Sequence, residues 1–245
     1  DDQWANLMPS PATAEVIRYG IDSADARMVA RNIRASDGGS AFDVVFDGRL
    51  IGRVAIAAPG AHNVRNALAA ISVGVGAWGA PVETLARGLA NFLGVERRFE
   101  RLGDVRGITV VDDYAHHPTE VMATLAAARD AFPGRRIIAA FQPHLFTRTR
   151  DFADAFADAL AAADATWLAD IYPAREKPIA GVTSALIADA MARQGSAPAW
   201  TGPRTQLAAA LASSAKTGDV VITIGAGDIT KTGPELAALL NQTAG

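Results

Sequence analysis

Asp112-Asp113-Tyr114-Ala115-His116-His117 packs two carboxylates, a phenol and two imidazoles into one short run, which holds two of the chain's four histidines. Such a set can accept from ribose hydroxyls, orient a guanidinium, hold a hydrated cation or line a substrate pocket. The imidazoles are adjacent rather than four apart on a helix, which argues against zinc. His117 also has a plainer reading as a helix cap, since it precedes Pro118. A second polar run, Phe141-Gln142-Pro143-His144-Leu145-Phe146-Thr147-Arg148-Thr149-Arg150, offers His144 and Arg148 to a carboxylate or phosphate. Its plainer reading is a solvated loop in which Thr149 caps the next helix.

Three further groups have the same two-sided character. Arg97 and Arg98 can clamp a phosphate, or belong to an ordinary charged linker with Glu96 and Glu100 as surface partners. Asn63 and Asn66 are three apart and face one way on a helical first turn. Their amides suit the edge of an adenine ring; the alternative is one helix cap and one solvated side chain. Gly225-Ala226-Gly227-Asp228-Ile229-Thr230-Lys231-Thr232 nearly fits the phosphate loop G-x-x-x-x-G-K-[ST], but Thr230 stands where the second glycine must be. A glycine turn at a strand end is the better reading, and no other such loop occurs in these residues.

The elements that carry these residues fall into two styles. Val16–Gly20, Met28–Ile33, Ala41–Asp47 and Leu50–Ala57 read as short strands, with Asp47-Gly48 as a hairpin turn. Val64–Trp78 and Val82–Phe92 read as helices. Gly94 and the charged run Glu96-Arg97-Arg98-Phe99-Glu100-Arg101 read as a linker or boundary. From Ile108 onward strands and helices alternate. The strands are Ile108–Val111, Arg136–Phe141, Ala165–Ala169 and Val220–Ile224, with Pro198–Thr201 as one more short candidate. The helices are Thr119–Phe132, Asp151–Ala163, Ser184–Arg193, Thr205–Ala215 and Pro234–Asn241. Near-continuous apolar strands in such alternation predict an α/β fold, a mostly parallel sheet with helices on both faces. The two polar runs then sit in strand-to-helix turns, where helix N-termini face ligands.

Bulk composition sets limits. The chain has 245 residues, 50% of them hydrophobic and 20% charged, enough for one large or two ordinary domains. A net charge of −3 argues against a general nucleic-acid binder. There is no cysteine, hence no disulfide or thiolate metal site. No apolar run approaches a membrane span, and the acidic start is unlike a signal peptide, so a soluble cytoplasmic protein is expected. The start, without Met, reads as an internal point of a longer chain.

Taken in order, the strings Gly60–Ala67, Gly94–Glu100, Asp112–Glu120, Phe141–Thr149, Asp170–Glu176 and Gly225–Asp228 resemble the Mur ligases, over essentially the whole chain. The resemblance implies residues 1–96 as the end of a central ATPase domain and residues 97–245 as a Rossmann-like C-terminal domain. It implies an ATP-dependent ligase that joins L-alanine to UDP-N-acetylmuramate through an acyl phosphate, in peptidoglycan precursor synthesis. A sister enzyme that attaches a recycled peptide shares the first block but differs in Phe141–Thr149. Carried over residue by residue, Asn63 and Asn66 match adenine-side positions, Arg98 the arginine that reaches the ATP phosphates, and Asp113 the aspartate near the ribose. Tyr114, His116 and Arg148 match positions around the incoming alanine, and Arg98, Asp113 and His116 are the implied catalytic set. Leu145 stands where some members have Arg. Mg2+ is implied with its ligands mainly outside this sequence and none within it. No ligase activity is expected from these residues alone, and the segment Arg98–Ile108 is expected to act as a hinge. Two other readings stay open. A non-catalytic nucleotide-binding module is one; a dinucleotide-dependent oxidoreductase is the other, although Val111 runs into Asp112-Asp113 rather than G-x-G-x-x-G.

Overall fold

A computed structural model describes residues 16–21, 23–36, 39–92 and 95–242. The opening stretch 1–15 and Gly94 lie outside them. The chain divides into two compact units, one ending at Gly94 and one starting at Val95. Among the described residues no helix is long and apolar enough to cross a membrane.

The first unit holds β1 (Tyr19–Gly20), β2 (Met28–Ser36), β3 (Gly39–Phe46) and β4 (Arg49–Ile56), in spatial order β1-β2-β3-β4. Asp47 and Gly48 close the β3–β4 hairpin with φ of 47° and 78°, the paired left-handed turn that matches strand twist. The Asp47 carboxylate takes two hydrogen bonds from Arg27. Phe42, Val44, Val54 and Ile56 bury one sheet face against Val64, Leu68 and Ile71 of α1 (Ala61–Trp78) and Val82 of α2 (Val82–Ala90). The α1 stripe repeats every three or four residues, as a core-facing helix requires. Only the last two residues of the expected Val16–Gly20 strand pair, parallel to β2.

The second unit is a six-stranded sheet in the order β5-β6-β10-β7-β8-β9, comprising β5 (Glu100–Val105), β6 (Ile108–Asp113), β7 (Ile137–Phe141), β8 (Ala165–Ala169), β9 (Trp200–Gly202) and β10 (Val220–Ile224). All neighbours are parallel except the β5–β6 hairpin. The central strands are apolar throughout because both faces are covered. On β7, Ile137, Ala139 and Phe141 face α3 (Pro118–Ala131), α5 (Ala153–Leu160) and α6 (Ala185–Arg193), while Ile138 and Ala140 face α7 (Arg204–Ser214) and α8 (Thr232–Gln242).

Three expectations are corrected here. The charged run after Gly94 is not a linker throughout. Glu100 and Arg101 begin β5, an edge strand whose solvent-facing charges hid its pairing. The expected hinge, Arg98–Ile108, is therefore mostly strand; with Phe99 N–H also donating to Asp113, it is fastened to the sheet of the second unit. The run after β7 is also not all loop. Phe146–Asp151 forms α4, and Thr149 does not cap the following helix, because its hydroxyl donates to Leu145 O within α4.

Candidate active site

The last strand, β10, inserts between β6 and β7. Ile224 stands beside both Asp113 and Phe141. The glycine loop that follows β10 thus lies between the two polar runs. Gly225 N–H donates to Asp113 O, and Gln142 N–H donates to Ile224 O. The loop needs its glycines. A Cβ on Gly227 would stand 2.5 Å from the Tyr172 ring and 2.6 Å from Gln142 Oε1, and Gly225 has φ +149° with Gln142 O 2.8 Å from where its Cβ would be. The close approach is to protein atoms, which agrees with a glycine turn and not a phosphate loop.

The two carboxylates face inward. Asp112 is 1% exposed and accepts from the Thr223 and Thr230 hydroxyls and from Arg97 Nε. Of the roles open to it from sequence, it orients an arginine. Asp113 is 6% exposed and accepts from Phe99 N, Ala115 N and the Thr124 hydroxyl. Burial pushes the Asp113 carboxyl above its ordinary range, against those hydrogen bonds and the Arg98 charge. Both carboxylates are thus committed to shaping the turn, a commitment that alternation along β6 does not reveal.

Tyr114, His116, His144 and Arg148 form the outward layer. The Tyr114 and His116 rings meet edge to face at 5.3 Å, and His116 and His144 at 5.9 Å. His144 stacks on Tyr172 at 5.8 Å, where the loops after β7 and β8 run in parallel. Arg148 Nη1 donates to His116 O at 3.4 Å and lies 3.5 Å from His144 Nδ1. Burial, then the nearby Arg148 and His116 charges, hold the His144 imidazole below its ordinary range. Leu145 opens α4 with φ +73°, a conformation costly for a branched side chain, and its N–H is held by Tyr172 O.

The two arginines at the start of the unit divide the labour. Arg97 is folded in. Its guanidinium lies 4.7 Å from the Tyr114 ring centroid and donates to Asp112 and to the carbonyls of Gly225 and Gly227. Arg98 is exposed, 5.8 Å from the same ring centroid, and among the described residues no hydrogen bond or ion pair engages its guanidinium. In the first unit, Asn63 is half-buried in the first turn of α1 with its amide donating to Pro59 O, and Asn66 is exposed three residues on, in the second turn. Gly60 is the N-cap and no side chain caps that helix, so neither Asn plays the capping role.

His117 does cap α3, accepting from Thr119 N, while Glu120 closes the reciprocal half of a capping box. Sequence reasoning gave Glu120 no role, although its place three residues after the cap is the capping-box signature. Gln142 was also missed. Its side chain bridges Asp228 and Ile229 N–H, and nothing local in the sequence marks it. Glu176 accepts from the Thr147 N–H and hydroxyl and is thereby held below the usual carboxylate range, a role that its sequence neighbours do not mark. Among the described residues no group of three or more His, Asp or Glu is placed to hold a metal ion.

A mostly parallel sheet with this inserted last strand, preceded by a separate hairpin-and-helix unit, accompanies family matches that show the chain belongs to the Mur ligase family. Residues 97–227 match the Mur ligase glutamate ligase domain, and residues 1–74 the Mur ligase middle domain. At the level of single proteins, the chain is 44% identical over 244 residues to a UDP-N-acetylmuramate–L-alanine ligase of Cutibacterium acnes, covering 99% of this chain and 51% of that protein. It is 42% identical to the Salinibacter ruber protein of the same name, covering all of this chain and 51% of the other. The crystal structure of the Thermotoga maritima UDP-N-acetylmuramate-alanine ligase superposes with a TM-score of 0.79 at 25% identity, covering 93% of this chain and 48% of that one. A murein peptide ligase from Psychrobacter arcticus superposes at 0.60 with 26% identity, covering 91% and 46%. The chain spans about half the length of the curated relatives it matches.

Proposed function

We propose that the intact protein carrying this chain is an ATP-dependent, amide-forming ligase that joins L-alanine to UDP-N-acetylmuramate, acting in the cytoplasm in peptidoglycan precursor synthesis. Residues 1–96 are then the end of the ATPase domain and residues 97–245 the amino-acid-binding domain. The observation that carries the reading is the outward layer of Tyr114, His116 and Arg148 beside the unpaired Arg98 guanidinium. It offers one cation for phosphate and a separate cation, flanked by imidazoles, for an amino-acid carboxylate.

The reaction has two halves. The muramoyl carboxylate attacks the γ-phosphate of ATP and becomes an acyl phosphate, which the amine of alanine then attacks. In the first half positioning and charge neutralisation carry the catalysis. Arg98 supplies charge there, Asn63 and Asn66 read the adenine, and Asp113 acts from below, by fixing Phe99 next to Arg98. In the second half Arg148 anchors the alanine carboxylate, a charge-assisted contact. Tyr114 and His116 form the wall beside it. Leu145 adds no second cation to this pocket, so Arg148 carries the carboxylate alone.

The peptide-recycling ligase is the second reading. The murein peptide ligase superposes less closely than the alanine-adding enzyme, at closely similar identity. The test is product analysis. The intact protein with ATP, Mg2+, UDP-N-acetylmuramate and L-alanine is expected to release ADP, phosphate and the alanyl product. Turnover only with a preformed peptide would decide for the recycling enzyme, and nucleotide binding without turnover for the non-catalytic module. These 245 residues by themselves contain no phosphate loop and are expected to make no ADP.

A further inference from the structure

We propose that His116 Nε2 is the atom that takes the proton from the incoming amine, and that Glu120 is the positioning residue that fixes the ring for that task. The inference rests on the amide-forming reading above.

His116 Nδ1 has two neighbours, Tyr114 O at 2.9 Å and Glu120 Oε2 at 3.3 Å. A backbone carbonyl can only accept. The Glu120 carboxyl is ionised near neutrality. Burial raises it, but the His116 and His117 N–H groups and the His116 and Arg98 charges outweigh that and hold it below its ordinary range. A ring nitrogen facing two acceptors must carry the hydrogen. The neutral ring then has its lone pair on Nε2. This is the way an acceptor behind a histidine sets which nitrogen does the chemistry.

The capping box places the carboxylate. Glu120 Oε2 accepts from His116 N at 2.9 Å and from His117 N at 3.2 Å, so the turn that starts α3 also seats the acid against the ring. The His116 side chain is 24% exposed, which leaves it reachable from solution. The charged and titratable groups around it are Tyr114 and His117 on its own turn, His144 and Arg148 from the β7–α4 segment, and Arg98 from the start of the unit. Arg148 also donates to His116 O and lies 3.5 Å from His144 Nδ1, whose ring meets the His116 ring at 5.9 Å, so a carboxylate anchored on Arg148 is held in the neighbourhood of this imidazole.

An amino-acid amine is mostly protonated at neutral pH and cannot attack in that form. The ammonium gives one proton to Nε2; the N–H pair becomes the amine lone pair, and imidazolium forms. The amine attacks the acyl carbon of the acyl phosphate. The C–O bond breaks with its pair on phosphate, and a second amine proton leaves with it as HPO4 2−. The amide remains, and His116 returns its proton to solvent.

Two measurements test this. In the 245-residue chain, imidazole 15N shifts at alkaline pH are expected to show His116 protonated at Nδ1 and bare at Nε2; the reverse tautomer overturns the inference. In the intact protein, Glu120→Gln keeps an oxygen for the two N–H groups but removes the charge. It is expected to lower kcat about tenfold to a hundredfold, with little change in the KM for L-alanine or in thermal midpoint, and to move the acid limb of the kcat profile to lower pH. An unchanged kcat and limb, or a loss confined to KM or stability, overturns the inference. If the parent protein makes no amide, the ligase reading fails and this falls with it. If it turns over while the tautomer is reversed, this inference alone fails.

Discussion

Arg97 and Gly225, 128 positions apart, are joined by a 2.7 Å hydrogen bond from Nη2 to the glycine carbonyl. The same guanidinium reaches Gly227 O and the buried Asp112 carboxylate, and its backbone is held at φ +61° by Glu100 on its N–H and Tyr114 on its carbonyl. The start of the second unit is thereby locked onto the loop after its last strand. With Arg97 turned inward, Arg98 is left outward.

Arg97→Ala removes the cationic partner of a carboxylate that is 1% exposed and leaves two carbonyls short of a donor. A loss of about 1–3 kcal/mol in urea denaturation is expected. Arg97→Lys keeps charge but not the fork and should recover only part of it. An alanine variant as stable as the parent would show that the lock holds nothing.

Gly227→Ala must push back the Tyr172 ring or the Gln142 amide, which would lie 2.5 Å and 2.6 Å from the new methyl. Overpacking of this kind costs about 1–3 kcal/mol. Gly225→Ala should cost more, because it adds a φ of +149° to a clash with a backbone oxygen that cannot rotate away. Denaturant midpoints order the two. The reverse order would mean that the backbone yields more easily than the ring.

Arg148→Ala and Arg98→Ala should separate the two half-reactions in the intact protein. Losing the Arg148 guanidinium should raise the KM for L-alanine about tenfold to a hundredfold, the equivalent of about 1.5–3 kcal/mol for a charge-assisted contact. Arg98 is exposed, so its removal should leave the unfolding midpoint within the usual surface range and lower kcat at saturating alanine. Identical kinetic defects from the two variants would contradict separate sites.

Stability should fall on the acid side. Asp164 is held below its ordinary 3.8 chiefly by Arg129, with Ile137 N–H helping against burial. A depressed folded value means its contribution is present above pH 3.8 and is lost as pH falls through that lower value. Asp113 has the opposite sign. Burial raises its folded value, so its contribution is present below 3.8 and is lost as pH rises through the raised value. Asp164→Asn should therefore flatten the acid loss in denaturation curves taken from neutrality down to about pH 3. Parallel curves for parent and variant would sink this assignment.

Local chemistry was legible in the sequence wherever it is short-range. The Asp47-Gly48 hairpin, the His117 cap before Pro118, the apolar strands of a doubly covered sheet and the glycine turn after Val220–Ile224 all depend on neighbours a few positions away. So did the gathering of Tyr114, His116 and Arg148, since successive strand-to-helix turns open on one edge of a parallel sheet.

Only the tertiary structure decided which strand lies between β6 and β7, because every central strand is apolar and any of them satisfies its neighbour's hydrogen bonds. That insertion turned Asp112 inward to Thr223, Thr230 and Arg97, split the roles of two adjacent arginines, and gave Gln142 its partners. The edge strand Glu100–Val105 was hidden for a different reason, because its charges face solvent and its pairing with β6 leaves no apolar pattern in the sequence. A pattern along the chain records which residues avoid water, whereas pairing is settled by which distant backbone groups are left to be satisfied.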